Sequence, residues 1–253
     1  MLMNKHEQHR LEQLGEYPFA RLKKLLDGID PNPELELIDA GAGEPRLPLP
    51  LFVQPTISEH LAGFSKYPTT SGNDFLRESI AAWLKKRFSL NQLDANSQVL
   101  SANGTREALF AAAHALVNPE CEQQPWVMMP NPMYQIYLGA AITAGAKPYL
   151  QPCVAANGFA PDLDSIAEEV WRDTALIYVC SPSNPTGWVA DEAYYKKLLD
   201  LAEKFDFYVL ADECYSEIYY EQKPVGLLEV AQAMGNVEYK RCLVMNSLSK
   251  RSA

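Results

Sequence analysis

Nowhere in the 253 residues does an apolar run approach the ~20 residues that a membrane-spanning helix needs. Positive charge is also scarce: Lys and Arg total 22 against 32 Asp and Glu, a net charge of −10. That balance leaves no surplus of cations for a nucleic-acid backbone, although one or two local arginines suffice for a small anionic substrate. The five cysteines, Cys121, Cys153, Cys180, Cys214 and Cys242, form no C-x-x-C pair. An odd, scattered set excludes a disulfide framework and a zinc site and fits reduced thiols. Gly41-Ala42-Gly43 lacks the third glycine and the spacing of a dinucleotide fingerprint. No P-loop, nucleophile elbow, zinc motif or internal repeat is found. His6 and His9 stand at helical spacing but read as part of an exposed helix, and His60 and His114 have no ligand partners. The N-terminus, with Glu7, Arg10 and Glu12, is too charged for a signal peptide, so a cytoplasmic location is expected.

What is present is ordinary globular composition, 21% charged and 47% hydrophobic. The length allows one large or two modest domains with a real core. Residues 1–33 read as an arm, with Phe19, Leu22, Leu25, Leu26 and Ile29 at helical spacing before Asp30-Pro31-Asn32-Pro33. Leu35 to Asp39 is expected to be a short strand. A helix is expected over 73–88, with Leu76, Ile80, Trp83 and Leu84 on one face. From there the chain alternates. Apolar runs at Val99-Leu100, Trp126–Met129, Ala175–Cys180, Phe207–Leu210 and Cys242–Met245 are separated by amphipathic helices. Near-continuous apolar strands of this kind are buried on both faces. The fold class is α/β, a mostly parallel sheet with helices on both faces. In such sheets ligands bind beyond the carboxyl ends of the strands, and the polar clusters fall there.

Four of these clusters fit an aldehyde cofactor with a pyridine ring and a phosphate. Lys250 follows an apolar strand and the hydroxyls of Ser247 and Ser249. A Schiff-base lysine needs a site where its amine loses its proton, and a phosphate needs hydroxyl donors. Asp212 ends a second apolar run. It reads as a helix N-cap or as the carboxylate that keeps a pyridine nitrogen protonated, with Tyr215 within reach of the ring's phenolic oxygen. Asn184, in Ser183-Asn184-Pro185-Thr186-Gly187, is turn chemistry or a donor to the same oxygen, aimed by a cis bond. Gly104, Thr105 and Arg106 open a helix whose N-terminus suits a phosphate. Tyr134 is available to stack on the ring. Ser247-Leu248-Ser249-Lys250 also reads as S-x-x-K, the serine-nucleophile motif of penicillin-recognising hydrolases, which opens a helix in exported proteins. That rival leaves Asp212 and Asn184 without a task.

With these residues assembled, the chain from about Leu37 onward resembles the class I and II aminotransferases among fold-type I pyridoxal-phosphate enzymes. The resemblance implies roles. Gly43, in Gly43-Glu44-Pro45, would meet the substrate carboxylate through its amide. Tyr67, in the Tyr67-Pro68 segment before Ser71-Gly72 and Leu76-Arg77, would reach the phosphate in a partner subunit. Gly104, Thr105, Arg106, Ser247 and Ser249 would serve the phosphate, and Tyr134 the ring face. Asn184 and Tyr215 would serve the phenolic oxygen, Asp212 the ring nitrogen and Lys250 the Schiff base. A narrower likeness, carried by residues 103–110, 134–137, 212–219 and 247–252, is to succinyldiaminopimelate aminotransferases of bacterial lysine synthesis. It implies glutamate as amino donor, a succinylated keto acid as acceptor, and a homodimer. Residues 1–44 would be an arm and small-domain segment, and 45–253 an incomplete large domain. The family's arginine beyond the lysine and its C-terminal small domain are not in the sequence, so an inactive remnant is one expectation. A β-lyase or synthase on the same fold is another. The resemblance also implies a further antiparallel strand between Val99-Leu100 and Leu243-Val244, whose lack would open a gap inside the sheet.

Overall fold

The computed structural model describes residues 9–38, 41, 43 and 47–250. After a 3-10 turn at His9–Gln13, the first helices are α1 (Pro18–Leu26), α2 (Val53–Glu59) and α3 (Asp74–Arg87). Then come α4 (Thr105–Leu116), strand β1 (Trp126–Asn131), α5 (Ile136–Thr143) and β2 (Lys147–Pro152). The chain continues through α6 (Glu168–Arg172), β3 (Thr174–Cys180), α7 (Glu192–Phe205), β4 (Tyr208–Asp212), α8 (Leu227–Ala233) and β5 (Cys242–Met245).

The five strands form one sheet in the order β2-β1-β3-β4-β5, every pair parallel. Side chains alternate across it, as a period of two requires. Met128, Ile177, Val179, Val209 and Ala211 face a core shared with α3, α6, α7 and α8. Val127, Met129, Leu176, Tyr178 and Leu210 face a second core with α4 and α5. Both faces are covered, which is why these strands read as unbroken apolar runs rather than alternating ones.

Several expectations are corrected. β2 was not anticipated: Pro148 and Pro152 argue against a strand, yet proline is tolerated where a strand lies at a sheet edge, as β2 does. Leu35, Leu37 and Ile38 form no strand and are exposed, because no neighbouring strand pairs with them, and Asp39 lies outside the described residues. Val99-Leu100 is not a strand either: Val99 anchors in the core while Leu100 faces out. The implied interior gap is therefore an outer edge at β5. The helix expected over 73–88 forms, with the Asn73 side chain accepting the Leu76 N–H at its start. Leu84 of the expected stripe is buried and Ile80 and Trp83 pack against the same core, joined by Arg77, Ala81 and Arg87, whereas Leu76 is exposed. In α1 the apolar stripe forms but is exposed, and Ile29 lies past the helix end.

Candidate active site

The strands deliver their last residues to one edge. Register pairs Cys180 with Asp212 and Asp212 with Met245, so Asp212 stands between β3 and β5. Its side chain is 5% exposed. The Tyr137 hydroxyl donates to Asp212 Oδ2 at 2.6 Å, and the Cys214 N–H donates to Oδ1 at 3.3 Å. No helix starts between Asp212 and Leu227, so the N-cap reading of Asp212 does not apply. Among the described residues no lysine, arginine or histidine pairs with it. A buried carboxylate is costly unless a cation compensates it. Its donors hold the carboxylate in place while leaving its charge unanswered, which suits a protonated pyridine nitrogen.

Tyr137, which the sequence showed only as part of the 134–137 segment, is placed beside Asp212 by the structure. It is fully buried on α5, stacked on Tyr178 at 4.5 Å and 13°, and met edge-on by Tyr134 at 5.8 Å. Burial, reinforced by the Asp212 charge, pushes its hydroxyl well above the ordinary phenol value, so it stays a proton donor. The one available signal was chemical: a buried tyrosine hydroxyl needs a partner, and Tyr137 lies three residues beyond Tyr134. Tyr134 itself precedes α5 rather than lying in it. Cys180 lies beside this group, with its thiol raised to about 12 by burial and then by Asp212.

At the neighbouring helix, Gly104 is the N-cap of α4 with φ 129° and no side-chain cap bond. That conformation, which residues with a Cβ rarely adopt, starts α4, and the Glu107 carboxylate folds back on its first turn and accepts a backbone N–H there. The Thr105 hydroxyl accepts from the Cys214 thiol at 3.4 Å, tying α4 to the end of β4. Arg106 is exposed and pairs with Glu107 at 3.2 Å. Backbone amides, a hydroxyl and a local arginine form a donor set suited to a phosphate.

Beyond β5 the chain turns at Ser247–Lys250, where the Ser247 hydroxyl donates to Ser249 Oγ at 2.9 Å. Residues 251–253, into which a helix opened by S-x-x-K would run, lie outside the described residues. The Lys250 ammonium donates to the Gly43 carbonyl and lies 6.0 Å from the centre of the Tyr215 ring. Gly43, Asn184 and Tyr215 line one cleft of about 700 Å³, with Val189, Tyr219 and Pro224 among its other walls. Asn184 is exposed, its N–H directed to Cys180 Sγ at 3.4 Å, and the Asn184-Pro185 bond is cis as the sequence suggested. Gly43 thus presents its carbonyl to Lys250, whereas the sequence reading assigned its amide to substrate. Glu44 and Pro45 lie outside the described residues.

The structure therefore brings Gly43, Thr105, Tyr134, Asn184, Asp212, Tyr215 and Lys250 to one edge of the sheet. Tyr67 is not among them: it is 96% exposed. All five cysteines are free, and among the described residues no cluster suits a metal and no helix is long and apolar enough to cross a membrane.

Comparison with known proteins places the chain in a family. The family aminotransferase class I and II matches residues 36–253. Among curated proteins, the LL-diaminopimelate aminotransferase of Aquifex aeolicus is 35% identical, over 88% of this chain and 57% of the relative. That of Desulforudis audaxviator is 33% identical over 90% and 57%. An aminotransferase from Neisseria meningitidis superimposes with a TM-score of 0.90 at 40% identity, covering 97% of this chain and 62% of its own. The Helicobacter pylori aminotransferase AspB does so with 0.86 at 37%, covering 94% and 62%. The chain spans a little over half the length of the curated relatives it matches.

Proposed function

The chain belongs to the class I and II aminotransferases, and on that premise we propose that residues 36–253 form the pyridoxal-phosphate site of an enzyme moving amino groups between glutamate and a keto acid of diaminopimelate type. The family is pyridoxal-phosphate-dependent. The observation that carries the reading is Asp212, a buried carboxylate with neutral donors and no cationic partner among the described residues, at the same edge as Lys250.

When bound, the cofactor supplies an electron sink for the pair released from the substrate Cα. The chain's residues do the rest. Asp212 would hold a proton on the ring nitrogen, with Tyr137 and the Cys214 N–H orienting the carboxylate. Tyr215 and Asn184 would donate to the phenolic oxygen, Tyr134 would lie against the ring, and the α4 N-terminus with Gly104, Thr105, Arg106, Ser247 and Ser249 would bind the phosphate. Lys250 Nζ would hold the cofactor covalently and then, released, carry the proton from Cα as a general base. The Lys250 ammonium contacts Gly43 and lies near Tyr215, both residues of the cleft wall, which supports that role.

The acceptor is proposed from two sources. The motifs resemble succinyldiaminopimelate aminotransferases, and the curated relatives carry the name LL-diaminopimelate aminotransferase. They share the diaminopimelate skeleton and differ in the succinyl group. Tyr67 is exposed, which leaves it free to serve a partner in the homodimer that the resemblance implies. The test is borohydride reduction after mixing with pyridoxal phosphate, followed by peptide mapping. The label is expected on Lys250 and should vanish in Lys250→Ala. A label elsewhere, or none, overturns the reading. Free and N-succinylated diaminopimelate, offered as donors to 2-oxoglutarate, then separate the two acceptors.

A further inference from the structure

Between Asp212 at the end of β4 and Leu227 at the start of α8 the chain makes a fourteen-residue excursion, 213–226. It carries Tyr215 and supplies Ile218, Tyr219, Tyr220 and Pro224 to the cleft wall. Its own backbone bonds stop early: Ser216 N–H to Glu213 O at 3.0 Å and Ile218 N–H to Tyr215 O at 2.9 Å. Its tip faces solvent, with Tyr220 100% exposed. A loop so poor in internal bonds has to be held from outside.

The holding group is Arg87, the last residue of α3, only 8% exposed. Its Nη2 donates to the Ser216 carbonyl at 2.9 Å and to the Pro224 carbonyl at 3.3 Å, so one nitrogen ties both ends of the excursion. Its Nε donates to the Glu217 carboxylate between them. The guanidinium lies 4.5 Å over the Phe88 ring and 6.0 Å from Tyr219. The Phe88 ring in turn lies against Gly226, where a Cβ would come within 2.6 Å of ring atoms. At the neck Glu213 Oε1 accepts the Leu227 N–H at 2.8 Å. A planar fork of donors satisfies two carbonyls and a carboxylate at once, which a lysine ammonium cannot reproduce in that geometry.

We propose that Arg87 is a positioning residue: by clasping the neck of the 213–226 loop it sets Tyr215 and the aromatic wall of the cleft, without touching cofactor or substrate. The part of this concerning Tyr215 rests on the function proposed above; the clasp itself does not.

Two readouts on Arg87→Lys separate the claims. Hydrogen–deuterium exchange of amides 216–225 is expected to quicken about tenfold or more, with α4, β1 and β3 unchanged. In the pyridoxal-phosphate-loaded protein, the pH at which the visible band titrates is expected to rise by about one unit. Loss of the Tyr215 donor destabilises the deprotonated phenolic oxygen, so its pKa climbs. Tyr215→Phe should give a similar rise, and the double variant no further one. Unchanged exchange in the loop overturns the clasp. Quickened loop exchange with an unmoved band overturns the link to Tyr215. Absence of any visible band in the unaltered protein sinks the proposed function and leaves the exchange result standing. If Arg87→Lys loosens every element, Glu217→Gln becomes the variant: selective quickening of the loop supports the clasp, and its absence overturns it.

Discussion

At Asp212 a single residue carries two opposed demands, burial and charge. Among the described residues the carboxylate has two neutral donors and no cationic partner. Asp212→Asn is therefore expected to keep the fold, with a denaturation midpoint unchanged or higher, while amino transfer falls by about a hundredfold or more, since an amide cannot keep a pyridine protonated. Near-normal turnover with a lower midpoint would restore a structural role. Tyr137→Phe makes the complementary change. It removes one donor from a buried charge, and such bonds are worth about 1.5–3 kcal/mol, so urea denaturation is expected to show a loss of that order. A variant as stable as the parent would mean that the Tyr137 hydroxyl contributes nothing to holding Asp212. Asp212 was readable because it ends an apolar run. Tyr137 was not, because its neighbours in α5 are apolar and its partner lies 75 residues away.

Between elements, Glu213 links three. Its N–H donates to Met245 O at 2.9 Å, joining β4 to β5, and its carboxylate holds the first amide of α8. It is 2% exposed, and burial raises its pKa from 4.5 to about 7, opposed by the Leu227 N–H, Arg87 and Asn246 and aided by Asp212. The raised value means that the folded state binds a proton more tightly than the unfolded state. Its contribution is fully present below about pH 4.5 and is lost as pH climbs through about 7. The span, at about 1.4 kcal/mol per unit, amounts to roughly 3 kcal/mol at most. Glu213→Gln is expected to flatten that decline when urea stability is compared at pH 5 and pH 7.5. A variant whose stability falls between those pH values as steeply as the parent's would remove Glu213 as the cause. The strands themselves were legible wherever both faces are buried. β2 was not, because its two prolines mimic a loop until the edge position makes them harmless.

The whole molecule is unevenly finished. The sheet and its two cores are dry, whereas Phe19, Leu22, Leu26, Leu51, Phe52 and Phe64, all N-terminal to α3, are exposed. β5 is an outer strand, its residues half-buried. Exposed apolar clusters and open strand edges favour association. Sedimentation velocity of this chain at micromolar concentration is expected to show dimers or larger species. A stable monomer with a sharp melting transition would show that these surfaces are tolerated. The expected gap inside the sheet became an open edge, because Val99-Leu100 found no strand to pair with.

By itself the sequence determined the parallel α/β class and the strand ends bearing Lys250, Asp212 and Asn184, since apolar runs and their polar stops are local properties. It also determined the helix start at Thr105, which Gly104 marks through its backbone freedom. Only the tertiary structure decided that Tyr137 meets Asp212, that Arg87 bonds to a loop 129 and 137 residues further on, and that Tyr67 is exposed. Those pairings depend on how helices pack across the sheet. No periodicity records that packing, because partners far apart in the chain are chosen by the shape of the assembled core.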